Sequence, residues 1–265
     1  MTSFVSVWVS RPGDPPRRAD DADRLHAAAS TMKLAVLAAL YRAADAGTVD
    51  LDALVPVVNG FASALGDGTR YQNDRTYDDE DEVWTRLGDA VPARWLARRM
   101  IVRSSNLATN VLLDLVGLPA VADAWRCAGA VNSVTARGIE DYAARDAGRD
   151  NVVTAADLAA LLGALHLGTL AKPESCAEML DLLAAQEWRQ DLALGVPAGV
   201  RIAHKNGWMT GVRHSAGLVT PPDAEPYVIA VCTTSRGVPP PDYDERACRH
   251  IAELSAEAWR DRVLP

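Results

Sequence analysis

The chain has 265 residues, of which 49% are hydrophobic and 23% charged, with a formal net charge of −8. Such a length and balance fit a soluble protein of one domain, or one domain in two lobes. The acidic balance argues against nucleic acid or an anionic membrane as partner, and no apolar run reaches the roughly 18–20 residues that a bilayer span needs.

The opening stretch Met1–Val9 has no basic start, long apolar core or cleavage site, so a cytoplasmic location is expected as written. Phe4 to Ser10 alternates and reads as a strand with two apolar faces; Arg11–Pro16 is a Pro/Gly turn, and Arg17–Asp23 is a second, short strand. Leu25 to Leu40 reads as one helix, apolar on nearly every face and therefore buried on all sides. It carries Ser30 and Lys33, a hydroxyl and an amine one helical turn apart. A lysine desolvated in such a helix has a lowered pKa and can act as a base, which makes Ser30 a candidate nucleophile. Taken alone, the same spacing more often marks a serine cap followed by a snorkelling lysine.

Asp50–Asn59 reads as a connection and Gly66–Glu82 as a polar loop, its acidic run 78–82 facing solvent. Helices are expected over Pro92–Val102, Val111–Val116 and Pro119–Ala128, with Ser104-Ser105-Asn106 between the first two. Arg137–Asn151 reads as a polar loop, followed by Thr154 as a helix cap with Asp157 in a capping-box position. Helices Ala155–His166 and Pro173–Gln186 follow. Three strands then close the pattern, Arg201–His204, Ser215–Thr220 and Tyr227–Thr233, before a last helix Tyr243–Asp261. Cys127, Cys176, Cys232 and Cys248 are spread without C-x-x-C or histidine neighbours and read as small buried thiols, so no metal and no cofactor is implied.

One strand first, helices in the middle and three strands last imply an α/β fold of the α+β kind: an antiparallel sheet built from both termini, flanked by helices, with a separate all-helical lobe. The lobes divide as 1–26 with 192–265, and 27–191. A cleft between them is the expected place for a site.

Three short motifs occur in one order: Ser30-x-x-Lys33, Ser104-x-Asn106 and Lys205-x-Gly207, separated by 74 and 101 residues. This set is the signature of class A β-lactamases and penicillin-binding proteins. Over about 250 residues the chain resembles the class A β-lactamase-like serine hydrolases. The resemblance implies that Ser30 is the acylated nucleophile, Lys33 its general base and Ser104 the proton shuttle to the leaving nitrogen, with Lys205 tuning the shuttle. Asn106 would hold Lys33 and a substrate amide. The N–H groups of Ser30 and of Trp208, after Gly207, would form the oxyanion hole, and Arg213 would receive a substrate carboxylate.

The chain departs from the family in several places. Class A enzymes carry a glutamate within E-x-x-L-N, whereas this loop reads Arg137-Gly138-Ile139-Glu140-Asp141, without the Leu-Asn. Glu140 is the nearest counterpart of the deacylating base and Asp141 the second. Asn206 stands where the family carries a hydroxyl that binds carboxylate, Ser105 replaces an acid, and Trp208-Met209 make the cleft rim bulky. The expected protein is a serine hydrolase acting on a small lactam, amide or ester, with carboxylate-bearing molecules among the candidate substrates. An amidase, esterase or acyl transferase, a penicillin-binding-like sensor that turns over slowly, and a silent scaffold stay open. A monomer is the default expectation.

Overall fold

In the computed structural model, which describes residues 2–236 and 242–263, both ends of the chain feed one antiparallel sheet. In chain order its parts are β1 (Thr2–Ser10) and β2 (Arg18–Asp20), then β3 (Arg201–Met209), β4 (Val212–Thr220) and β5 (Tyr227–Arg236). The strands lie in the order β2-β1-β5-β4-β3, with β1 paired along its whole length to β5. The longer helices are α1 (Lys33–Asp45), α2 (Ala93–Val102), α3 (Asn106–Val116), α4 (Leu118–Cys127), α5 (Ala155–His166), α6 (Pro173–Ala184) and α7 (Asp242–Arg260).

Strand alternation sorts the sheet residues into two cores. Val7, Val9, Ile202, Val219, Ile229 and Val231 pack on one face with Ile251, Leu254 and Ala258 of α7. Ala203, Ala216, Leu218, Val228, Ala230 and Cys232 turn to the other face and join the larger helical core. At the centre of that core α1 is buried from Lys33 to Tyr41, none of them more than 1% exposed. An all-round apolar helix can only sit this way.

The single helix expected over 25–40 is not what forms. Leu25 is exposed, and His26–Ala27 make a short strand paired with Val152–Val153. A tight 3-10 turn, Ala29–Met32, follows before α1 begins at Lys33. Tertiary partners outweigh helix propensity here. The buried His26 ring needs polar company, which it finds in Ser6 Oγ and Thr234 Oγ1, each at 2.8 Å. Helical geometry at residues 25–28 would break both contacts.

β3 also runs further than expected, so Lys205, Asn206 and Gly207 lie inside the strand, opposite Ala216, Ser215 and His214. Polar residues suggested a strand end; the ladder continues because their side chains are buried and bonded. Ser105, the true N-cap, starts α3 at Asn106, its Oγ accepting from the N–H of Ala108 at 3.1 Å. The acidic run 78–82 is only partly solvated: Asp79, Asp81 and Glu82 are exposed, whereas Glu80 is buried near the guanidinium groups of Arg99 and Arg103, at 3.5 and 3.7 Å. Among the thiols Cys176 and Cys232 are buried, Cys248 is half-buried and Cys127 is exposed.

Candidate active site

The site begins with the turn that carries Ser30. Ala29 has φ +45°, a left-handed conformation that a β-carbon disfavours. Neighbouring bonds over-determine it. Thr31 Oγ1 donates to Ala28 O at 2.6 Å, and the N–H of Ala28 donates to Asn151 O at 2.9 Å. From the sheet, His214 Nε2 lies 2.9 Å from Ala27 O, and its Nδ1 lies 2.9 Å from Arg213 O and 3.1 Å from Thr233 N, so the ring ties the turn to β4 and β5.

One turn on, Lys33 is fully buried. Its Nζ donates to Ser104 O at 2.5 Å, to Asn106 Oδ1 at 2.9 Å and to Ser104 Oγ at 3.1 Å. Burial pushes its pKa down to about 8, against the pull of Asp78 and Asp79, which raise it. Ser104 itself has φ +64°, a strained backbone at the point where two amines converge. From β3, Lys205 Nζ reaches the same Ser104 Oγ at 3.1 Å. Lys205 is also fully buried and its pKa is driven well below the usual value, first by burial and then by Lys33. One hydroxyl thus bridges two desolvated amines.

Gly207 brings β3 against the Ser30 turn: a β-carbon there would stand 2.9 Å from the amide nitrogens of both Ser30 and Thr31. The neighbouring Trp208 packs edge-on to Trp188, ring centroids 5.9 Å apart, and its Nε1 donates to the buried Asp191 at 3.3 Å. Trp188, which sequence reasoning passed over, therefore shares the rim with Trp208.

Two expected substrate contacts are engaged within the protein. The side chain of Asn206 is buried, its Nδ2 donating to Trp188 O at 3.1 Å and its Oδ1 lying 3.4 Å from Lys205 Nζ, so the amide that replaces the family's hydroxyl is engaged within the protein. Arg213 donates to Met209 O at 2.9 Å and to Val212 O at 2.7 Å and pairs with Asp244. Its guanidinium also lies 5.6 Å from the centroid of the Trp208 ring. Among the described residues no group of three or more His, Cys, Asp or Glu is gathered as metal ligands would be.

The sequence profile of the Beta-lactamase enzyme family matches residues 3–261. The chain belongs to that family. A beta-lactamase from Sphaerobacter thermophilus is 27% identical, with a TM-score of 0.80 over 98% of this chain and 90% of that one. PBP-A shares the fold at 22% identity, with a TM-score of 0.78 over 98% and 91% of the two chains. So does a variant of the class A beta-lactamase of the last common ancestor of Gram-negative bacteria, at 23% identity and a TM-score of 0.81 over 97% and 94%. No curated protein matches the chain. The five-stranded antiparallel sheet flanked by helices is the class A beta-lactamase fold.

Within this beta-lactamase fold, the loop 137–151 carries the two acids Glu140 and Asp141. Glu140, with φ +68°, is buried, and both its oxygens are occupied: Oε1 accepts from Asn73 Nδ2 and Oε2 from the N–H of Asp74, each at 2.8 Å. Among the described residues neither oxygen bonds to Ser30, Lys33 or Ser104. Burial raises its pKa while the two donors lower it, the net being upward. Asp141 is likewise consumed, capping the short helix Tyr142–Asp146 and accepting from Ser63 Oγ and the N–H of Ala64, both at 2.8 Å. Asn110 clasps the Ile139 peptide, its Oδ1 accepting from Ile139 N and its Nδ2 donating to Ile139 O, each at 2.8 Å. The acids that sequence offered as deacylating bases are thus both bonded to the segment 63–74, Glu140 to Asn73 and Asp74 and Asp141 to Ser63 and Ala64.

Proposed function

We propose that the chain is a serine hydrolase that forms an acyl-enzyme through Ser30 on a small lactam, amide or ester, and that releases the acyl group slowly. The observation that carries this reading is Ser104 Oγ, 3.1 Å from both Lys33 Nζ and Lys205 Nζ. Lys33 and Lys205, meeting on Ser104, support an acylation path. Neutral Lys33 takes the proton of Ser30 Oγ as that oxygen attacks the carbonyl carbon. The N–H groups of Ser30 and Trp208 stabilise the oxyanion, each such donor being worth a factor of about 10² to 10³ in rate. The C–N bond then breaks. Ser104 gives its proton to the leaving nitrogen and takes one from Lys33, with Lys205 lowering the cost of charge on the hydroxyl oxygen. The product is a Ser30 ester, and in a lactam the amine stays tethered to it.

Hydrolysis of that ester needs a base that holds a water on the acyl carbon. Glu140 and Asp141 are bonded elsewhere, which favours slow release, as in a penicillin-binding-like protein that is acylated and stays so. With Arg213 paired to Asp244 and Asn206 bonded to Trp188 O, a substrate carboxylate that uses Arg213 competes with Asp244.

The test is incubation of the protein and of Ser30→Ala with a chromogenic cephalosporin, a fluorescent penicillin and a panel of simple esters, read by intact-protein mass spectrometry. A stoichiometric adduct on the wild type that is absent from the variant supports the reading. An adduct equally present on Ser30→Ala, or no adduct with any probe, defeats it.

A further inference from the structure

The second motif of this chain lacks the acid that its relatives carry after the serine, and Ser105 stands in that place. The first turn of α3 leaves N–H groups that need an acceptor. A carboxylate from far away in sequence meets them. Asp78 Oδ2 accepts from Leu107 N at 2.9 Å, Asn106 N at 3.0 Å and Ser105 Oγ at 3.2 Å, and Trp84 Nε1 donates to the same oxygen at 3.0 Å. The preceding residue completes the grip, Tyr77 O accepting from Asn106 Nδ2 at 2.8 Å. A carbonyl can only accept, so this contact fixes the amide with Oδ1 toward Lys33. Two adjacent residues of the loop thus set the backbone and the amide orientation of Asn106.

We propose that Asp78 is the positioning residue of the second motif, holding Ser105, Asn106 and Leu107 so that Ser104 and Asn106 meet Lys33. The inference rests on the acyl-enzyme reading of the site. Its effect on Lys33 has a geometric and an electrostatic part. The charged groups that face Lys33 are Asp78 and Asp79 from the acidic run, which favour its protonated form, and Lys205 across Ser104, which opposes it. Removing the Asp78 charge must lower the proton affinity of Lys33, whereas a merely structural cap has no such consequence.

The deciding experiment compares wild type, Asp78→Asn and Asp78→Ala. The asparagine keeps an acceptor of the same shape without the charge. The Lys33 titration is followed by NMR of the 13C-labelled lysine ε-carbons, and acylation by a fluorescent penicillin is timed across pH. The expected results are a downward move of the Lys33 midpoint by about half a pH unit in Asp78→Asn. Acylation should slow about tenfold in Asp78→Asn and about a hundredfold in Asp78→Ala. An unchanged Lys33 midpoint in a folded Asp78→Asn overturns the proposal, as does a wild-type acylation rate in either variant. Should the wild type itself take no label, the acyl-enzyme reading falls, while the lysine titration still decides the role of Asp78.

Discussion

Gly207 leaves no room for a side chain beside Ser30. A methyl group on Gly207 would stand 2.9 Å from the Ser30 nitrogen and 3.1 Å from Thr31 Cγ2, closer than side chains pack.

Gly207→Ala should therefore push β3 off the turn and misalign the oxyanion donors. The acylation rate is expected to fall about a hundredfold, with the fold retained. Timed mass spectrometry of the adduct beside a thermal melt measures both; acylation at the wild-type rate shows that the contact does not define the hole.

Acylation should follow the ionisation of Lys33. With its pKa pushed down to about 8, the neutral base is a minority below that pH. The rate should then rise about tenfold per pH unit on the acid side and level off above about 8. Lys33→Arg keeps a cation that cannot act as a base, and should cost a factor of at least about 10² to 10⁴. A pH-independent rate from 6 to 9, or an active arginine variant, contradicts the base assignment.

Deacylation should be slow and indifferent to Glu140. A burst of adduct followed by a slow steady phase is expected with a chromogenic cephalosporin. Glu140→Gln replaces one acceptor by a donor facing Asn73 or Asp74, so stability should drop by about 1–3 kcal/mol. The burst amplitude should not change. If the steady phase instead collapses in this variant while the melt stays put, Glu140 is the base after all.

Acid should weaken the fold through its buried histidines. Burial pushes His26 and His214 down to about 4 and His204 to about 3, against about 6.5 in the unfolded chain. The unfolded state then binds protons first, so stability is lost as pH falls from about 6.5 toward 4, by about 1 kcal/mol per pH unit for each ring. Glu140 and Asp191, whose pKa values burial raises, act in the opposite sense at the acid end. The clean measurement is a difference: urea midpoints of wild type and His26→Gln at pH 7, 6 and 5. The variant's slope should be shallower by one ring's share, and equal slopes refute this account.

The sequence by itself determined the sheet from both termini, the all-round burial of α1 and the order of the three motifs. Those features live in local period and polarity: alternation in Phe4–Ser10, unbroken apolar residues after Lys33, Gly and Pro between the last strands. The resemblance carried by the motifs named Ser30, Lys33, Ser104 and Lys205 before any distance was in hand. Only the tertiary structure decided what the polar residues do. Asp78 left the solvated loop for the N-terminus of α3, His26 turned an expected helix start into a strand, and Asn206 and Arg213 were spent on Trp188 and Asp244. Glu140 and Asp141 became fasteners of their own loop. A buried polar group must find a partner, and that partner comes from wherever the fold brings the chain back. Residue 78 meets 107 and residue 26 meets 234, separations over which no periodicity in the sequence extends.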